Sequence, residues 1–245
     1  MPIKIKVDIV VPSMSVGGGE RVACDIADCL RDTGYQVELW SLLNKRDLEL
    51  RVYSQLRIIN FLLFFWVYGK CLVRVFRKLS KNGPDVVISV MPTANILLTI
   101  ITFFFPYKLI ISEHNISQKN DPIRHLVLDF VKARIYCYAD VVVAVSGGVA
   151  SYLKKLNYKI EAHIIHNYAS SIASFKRDDK AKSKNLIWVG RLDRQKGPDI
   201  AIKAFKKSGM AKKGFVLNII GPGDQKTYKD LVNELGYEKI VLFHG

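Results

Sequence analysis

A chain of 245 residues, 49% of them hydrophobic, can pack one large domain or two small ones, and that content excludes wholesale disorder. The formal net charge is +15, and between Leu50 and Ser112 Asp85 is the only acid against eight basic residues. Such a stretch calls for an anionic partner, and the lack of any recognisable nucleic-acid-binding module argues against nucleic acid and for an anionic membrane surface. Cys24, Cys29, Cys71 and Cys137 form no C-x-x-C pair and no metal-ligand spacing, so they read as small buried thiols in a reducing compartment. Asp8 breaks the N-terminal apolar run and a glycine-rich turn follows, so no signal peptide is expected.

Ile3 to Val11 alternates and then runs apolar, which predicts a buried strand ending at Pro12. The turn Ser13 to Gly19 leads to Glu20-Arg21 and a helix with Val22, Ile26, Cys29 and Leu30 at helical spacing and Gly34 as its stop. Strand, glycine turn and helix make the first unit of a doubly wound α/β domain, although the turn lacks the G-x-G-x-x-G dinucleotide fingerprint. Gln36 to Leu43 predicts a second strand and Leu56 to Asn60 a short third.

The apolar run Phe61 to Tyr68 is too short to span a bilayer, which takes about 20 residues. As a helix, the segment to Lys81 places Lys70, Arg74, Arg77, Lys78 and Lys81 on one face and Tyr68, Leu72, Val75, Phe76 and Leu79 on the other. That pattern fits either a basic amphipathic helix at a membrane interface or a core-packed helix with a solvated basic face.

Pro84 to Val90 predicts a buried strand, and Thr93 to Phe105 an apolar helix that packs on the sheet and leaves at most one edge for lipid. Lys108 to Ser112 is the next strand and delivers Glu113-His114-Asn115 to the carboxyl edge, where open α/β sheets bind ligands. Asp121-Pro122 starts a helix through Tyr138 with Leu126, Phe130, Ala133 and Cys137 roughly on one face. A strand Asp140 to Val145, the turn Ser146-Gly147-Gly148, a helix through Leu156 and a strand Glu161 to His166 complete the run. This alternation implies one parallel sheet with helices on both faces.

Residues 169–184, small and charged with no sustained apolar period, read as a linker between a first domain at 1–168 and a second at 185–245. The second domain opens with Asn185 to Val189, read as a buried strand, and stops at Gly190. Arg191, Arg194 and Lys196 follow in the turn, and Gly197-Pro198 opens a helix with Ile200, Ala201, Ala204 and Phe205 at core spacing. Fixed cations beside the unbonded N–H groups of a helix start suit a diphosphate, although a plain basic turn would look the same. A strand Phe215 to Ile220, the turn Gly221-Pro222-Gly223-Asp224, a helix Gln225 to Leu235 and a strand Lys239 to Phe243 follow, half of a Rossmann-like domain.

Gly190-Arg191-Leu192-x-x-x-Lys196-Gly197 after a short apolar strand resembles the donor-phosphate motif of the retaining glycosyltransferases of family GT4, which have the α/β GT-B fold. The resemblance implies that Arg191 and Lys196 hold the diphosphate of a nucleotide-sugar. Gly17-Gly18-Gly19-Glu20 is similar to the family's glycine loop, which implies that Gly17, Gly18 and Gly19 border the donor. Ser112-Glu113-His114-Asn115 resembles the segment that implies a catalytic-site role for His114 near the transferred sugar. Ile220-Gly221-Pro222-Gly223 is similar to a turn over the nucleotide, which assigns Gly221 and Gly223 to donor binding.

The implied reaction is sugar transfer to an acceptor hydroxyl with retention, the acceptor being a lipid-linked or surface glycan. No Asp-x-Asp pair occurs, so neither a metal nor a cofactor is indicated. The family's Glu-x7-Glu element is missing from 185–245, whose only glutamates are Glu234 and Glu238, so a C-terminally truncated enzyme is expected. The rival readings are an inactive fragment that binds membrane or a partner, and a GT-B sugar-nucleotide epimerase, which the Gly-Arg-Leu-x-x-x-Lys-Gly motif fits less well. The expected location is cytoplasmic, peripheral at the inner face of the cytoplasmic membrane.

Overall fold

The computed structural model describes residues 4–14, 17–43, 57–116, 122–167 and 183–244. The chain divides into two compact units, Met1–Ile172 and Ala173–Gly245. Residues 169–182 of the expected linker lie outside the described residues.

Unit 1 is a parallel sheet of six strands in the order β2-β1-β3-β4-β5-β6. The strands are β1 (Lys6–Ser13), β2 (Gln36–Leu43), β3 (Val86–Val90), β4 (Lys108–Glu113), β5 (Val141–Ala144) and β6 (Ala162–Ile164). The helices are α1 (Gly18–Asp32), α2 (Arg57–Asn82), α3 (Pro92–Ile101), α4 (Pro122–Ile135) and α5 (Gly147–Leu156). Parallel crossovers are right-handed, so the chain's reversal of direction after β2 puts α1 on one face and the later helices on the other. Two cores result. Ala23 and Ala27 of α1 pack on Val7, Ile9, Val11 and Val90. On the opposite face Val10, Val87, Leu109, Ile111 and Val142 lie under α2, α3 and α5. The strand order reverses between β1 and β3, and a ligand crevice forms above such a switch point.

Several sequence expectations change. The short strand expected at Leu56 to Asn60 is absent: 57–60 open α2, and Leu56 lies outside the described residues. Helix α2 buries the stripe Cys71, Val75 and Leu79, while Leu72 and Phe76, expected on the core face, stay exposed. Residues spaced by four form that stripe, and 72 and 76 fall on its flank. On α4 the inward residue is Lys132, not Leu126 or Phe130, both of which are exposed. Of the cysteines only Cys71 is buried; Cys29 and Cys137 are exposed. Helix α1 begins at Gly18 rather than Glu20. Among the described residues no helix is long and apolar enough to cross a membrane.

Unit 2 is a parallel sheet in the order β7-β8-β9, built from β7 (Asn185–Val189), β8 (Val216–Ile220) and β9 (Val241–His244). Its crossover helices are α6 (Pro198–Ser208) and α7 (Gln225–Glu234). Both crossovers run in the same direction across the sheet, so right-handedness puts both helices on one face. Ile202, Phe205, Tyr228 and Val232 bury Leu217, Ile219 and Val241 there. Ile187 and Val189 point to the uncovered side and are exposed, so β7 is half-exposed rather than buried as expected.

Candidate active site

In unit 1 the expected residues gather at the carboxyl edge around the switch point. Gly17 caps α1 with extended backbone, and its carbonyl accepts from the Arg21 N–H at 3.2 Å. A β-carbon at Gly19 would stand 2.8 Å from the Met91 sulfur, whereas one at Gly18 would meet nothing within 4 Å. At Gly17 the added carbon would meet the Glu20 carboxylate at 2.4 Å. Glu20 at the third helical position thus folds back over the cap, as in a capping box.

Met91 ties this loop to His114. It sits just after β3 with φ 79 and ψ 151, a region that non-glycine residues rarely adopt and that costs of order 1–3 kcal/mol. The extended ψ is the usual preference before a proline, here Pro92. Its N–H donates to the Ser112 carbonyl at 3.1 Å. The Ser112 hydroxyl in turn lies 3.0 Å from His114 Nε2. Gly19, Met91, Ser112 and His114 therefore form one connected row along the sheet edge. Burial lowers the His114 imidazole below its ordinary value of 6.5, so the ring is neutral at neutral pH.

Directly beneath, Glu113 is fully buried. Its Oε2 accepts from the Tyr136 hydroxyl at 2.7 Å and pairs with Lys132 Nζ at 3.3 Å. Burial raises the carboxyl above its ordinary value even though Lys132 and Tyr136 oppose the shift. A charged pair in a dry interior holds its geometry tightly, because breaking either partner strands the other. This pair fixes the end of β4, from which His114 projects.

In unit 2 the turn after β7 carries the cations. Asp193 organises it: Oδ1 accepts from the Lys196 N–H at 3.0 Å, while Oδ2 pairs with the Arg191 guanidinium at 3.3 Å. Arg191, Arg194 and Lys196 are exposed. Gly197 adopts φ 67 at the cap of α6, and Pro198 follows in the first turn. The turn after β8 lies against this one: the Leu192 N–H donates to the Pro222 carbonyl at 2.8 Å, and the Asp224 N–H to the Leu192 carbonyl at 3.3 Å. Gly221 (φ 143) and Gly223 (φ 133) are needed where the two turns touch, since β-carbons there would stand 2.0 Å from the Gly190 carbonyl oxygen and 2.8 Å from that of Leu192. Asp224 then caps α7, accepting from the Thr227 N–H at 3.2 Å.

The structure thus places Gly17, Gly18, Gly19 and His114 on one edge of unit 1, and Arg191, Lys196, Gly221 and Gly223 on one edge of unit 2. Sequence reasoning missed Met91, Asp193 and the Lys132–Glu113 pair. The Met91-Pro92 step and the acid inside the basic turn were visible signals; nothing local marked Lys132.

Two Rossmann-like units, the second with a cationic turn at a helix start, are the architecture of the GT-B fold. The sequence pattern described as Glycosyltransferase Family 4 matches residues 16–169, and the pattern described as Glycosyl transferases group 1 matches residues 169–245. The chain belongs to Glycosyltransferase Family 4. Its fold is similar to that of HepE from Anabaena, solved in complex with UDP, with 18% identity, a TM-score of 0.70, and coverage of 98% of this chain and 69% of that one. The sucrose-phosphate synthase of Thermosynechococcus elongatus is similar at 14% identity and a TM-score of 0.74, over 99% of this chain and 70% of that one. The lipopolysaccharide outer core galactosyltransferase WaaB is similar at 17% identity and 0.66, over 98% and 68%. No match was found among curated proteins.

Proposed function

We propose that the chain transfers a hexosyl group from a nucleotide-sugar to the hydroxyl of a lipid-linked or surface-glycan acceptor, with retention at the anomeric carbon. One observation carries the reading: the Asp193 carboxylate holds Arg191 and the Lys196 backbone in a single turn at the start of α6. When the nucleoside diphosphate leaves, negative charge builds on its phosphate oxygens. Arg191 suits a bidentate contact to them, Lys196 a point-charge contact, and the α6 start adds its aligned N–H groups. Donors fixed before the charge develops stabilise the transition state without reorganising. With no Asp-x-Asp pair in the sequence, these cations take the place of a metal.

The Gly17–Gly19 loop borders the donor and His114 the transferred sugar. With Nε2 engaged by Ser112, Nδ1 is the nitrogen left for a sugar hydroxyl. Gly221 and Gly223 act on the donor by holding the Arg191 turn in place. The surplus of cations between Leu50 and Ser112 supports a peripheral position on an anionic membrane at its cytoplasmic face, where a lipid-linked acceptor would be met.

Titration with UDP and GDP by calorimetry tests the phosphate assignment. Arg191→Ala and Lys196→Ala should each remove a charge-assisted contact worth roughly 1.5–3 kcal/mol, about 10- to 100-fold in affinity. Equal affinity of the parent and both variants for the nucleotide that binds would refute it.

A further inference from the structure

Helix α3 is mostly apolar, yet it carries a fully buried amide. Asn95 is as inaccessible as Ala94 and Leu98 beside it. Burying an amide costs free energy unless its hydrogen bonds are made, and Asn forms helix less readily than Leu, which would fill almost the same space. Here the cost is only partly met, because Asn95 Oδ1 has no partner among the described residues. Neither packing nor helix propensity accounts for Asn at this position.

The amide nitrogen does. Nδ2 donates to the Ser112 carbonyl at 3.0 Å, an oxygen that also accepts from the Met91 N–H at 3.1 Å. A carbonyl only accepts, so the nitrogen of the amide and not its oxygen faces it. The same side chain is hydrogen-bonded to the Tyr136 hydroxyl, which donates to Glu113 Oε2 at 2.7 Å. The Asn95 backbone N–H meanwhile donates to the Met91 carbonyl at 3.0 Å. Three pieces therefore meet at Asn95. They are the strained Met91 step that fills the space beside Gly19, the end of β4 where the Ser112 hydroxyl reaches His114 Nε2, and the Tyr136–Glu113–Lys132 group behind it.

We propose that Asn95 is a positioning residue for sugar transfer, holding the Met91 step beside the glycine loop and the His114 end of β4 in one register. The inference rests on the proposed function and adds a side chain too deeply buried to touch either substrate. An amide has two N–H bonds on one nitrogen, so it can fix two oxygens at once without adding a charge. Leu would leave the Ser112 carbonyl on the Met91 N–H alone and let the peptide that leads to His114 shift. Displacements of about 1 Å in such a constellation cost as much as 100-fold in rate.

The test is a proton NMR titration of the full 245-residue chain, with the His114 ring signal assigned by H114Q. N95L keeps the side-chain volume and leaves the Ser112 carbonyl with Met91 and the Tyr136 hydroxyl with Glu113, so it should fold and melt close to wild type. Its His114 midpoint should nevertheless rise toward 6.5, as water reaches a looser edge. The Met91 amide should exchange roughly 10-fold faster than in wild type, while that of Ile9 in β1 keeps its rate. N95D has the same shape, and burial keeps its carboxyl protonated and able to donate one hydrogen bond, so it should fall between N95L and wild type.

A His114 midpoint and a Met91 exchange rate in N95L equal to wild type would overturn the inference. So would faster exchange throughout unit 1, the sign of a plain loss of stability. An N95L chain that fails to fold would also overturn it, by making Asn95 a support of the core. The proposed reaction is judged separately, by the UDP titrations of Arg191→Ala and Lys196→Ala, which do not involve Asn95.

Discussion

A β-carbon on Gly221 would stand 2.0 Å from the carbonyl oxygen of Gly190. The two residues belong to neighbouring turns, after β8 and after β7, and the Gly190 N–H donates across the same junction to the Ile220 carbonyl at 3.0 Å. Arg191 follows Gly190 directly, so the placement of the cation proposed to bind phosphate depends on a residue with no side chain one strand away.

Gly221→Ala should therefore destabilise unit 2 by about 2 kcal/mol or more, since the obstacle is backbone and φ 143 is strained for any L side chain. Gly18→Ala is the contrast: it lies in the first turn of α1 with nothing within 4 Å, and its effect should stay within about 1 kcal/mol. Urea unfolding followed by tryptophan fluorescence compares them. Equal midpoints for the two variants would mean that the turns separate freely.

Asp193 both organises the cationic turn and competes for it. The Arg191–Asp193 pair is largely solvent-exposed, a setting in which ion pairs are worth about 0–1 kcal/mol. Asp193→Asn keeps an acceptor for the Lys196 N–H but releases the guanidinium, so UDP affinity should rise by roughly 2- to 5-fold. Asp193→Ala also loses the acceptor and should gain less or bind more weakly. A loss of affinity in Asp193→Asn as large as in Asp193→Ala would show that the ion pair, not the backbone bond, sets the turn.

The order of strands and helices was legible because each strand is a short apolar run and each helix carries its own spacing and stop. The cationic turn and His114 were legible because their residue types sit where α/β sheets bind ligands. What escaped was tertiary. Ile58 and Ile59 look like strand residues, yet they open a helix that runs to Asn82. Ile187 and Val189 alternate with residues that are also apolar, so only the crossover directions reveal that one face of β7 is uncovered. Lys132 reads as a surface residue of α4, and its partner Glu113 lies on a strand that no local spacing connects to it.

That pair gives a pH-dependent prediction. Burial raises the Glu113 carboxyl above its ordinary value of 4.5, and Lys132→Met removes the charge that opposes the shift. A carboxyl raised by folding keeps its full stability below the unfolded pKa and loses it as pH rises through the folded one. The deficit of Lys132→Met against wild type should be small near the ordinary carboxyl value and grow with pH, to roughly 3–5 kcal/mol near neutrality. Glu113→Gln combined with Lys132→Met should recover part of it. Urea melts at several pH values measure both, and a deficit that shrinks as pH rises would contradict the assignment.

His114 titrates in the opposite sense. Burial lowers its imidazole below 6.5, so the fold favours the neutral ring. Its contribution is complete above the unfolded value and is lost as pH falls from there through the lowered folded value. The ring signals in a proton NMR titration should have a midpoint below 6.5, and His114→Gln should flatten this part of the stability profile. Under the proposed function the same ring faces the sugar and not the phosphates; its Nε2 lies 3.0 Å from the Ser112 hydroxyl. His114→Ala should then reduce turnover by roughly 100-fold, as loss of one preorganised polar group does, while UDP affinity changes less than about 3-fold. Arg191→Ala should show the reverse weighting, with nucleotide affinity falling first. A His114→Ala variant that binds UDP as weakly as Arg191→Ala would put the imidazole on the nucleotide and remove it from the sugar.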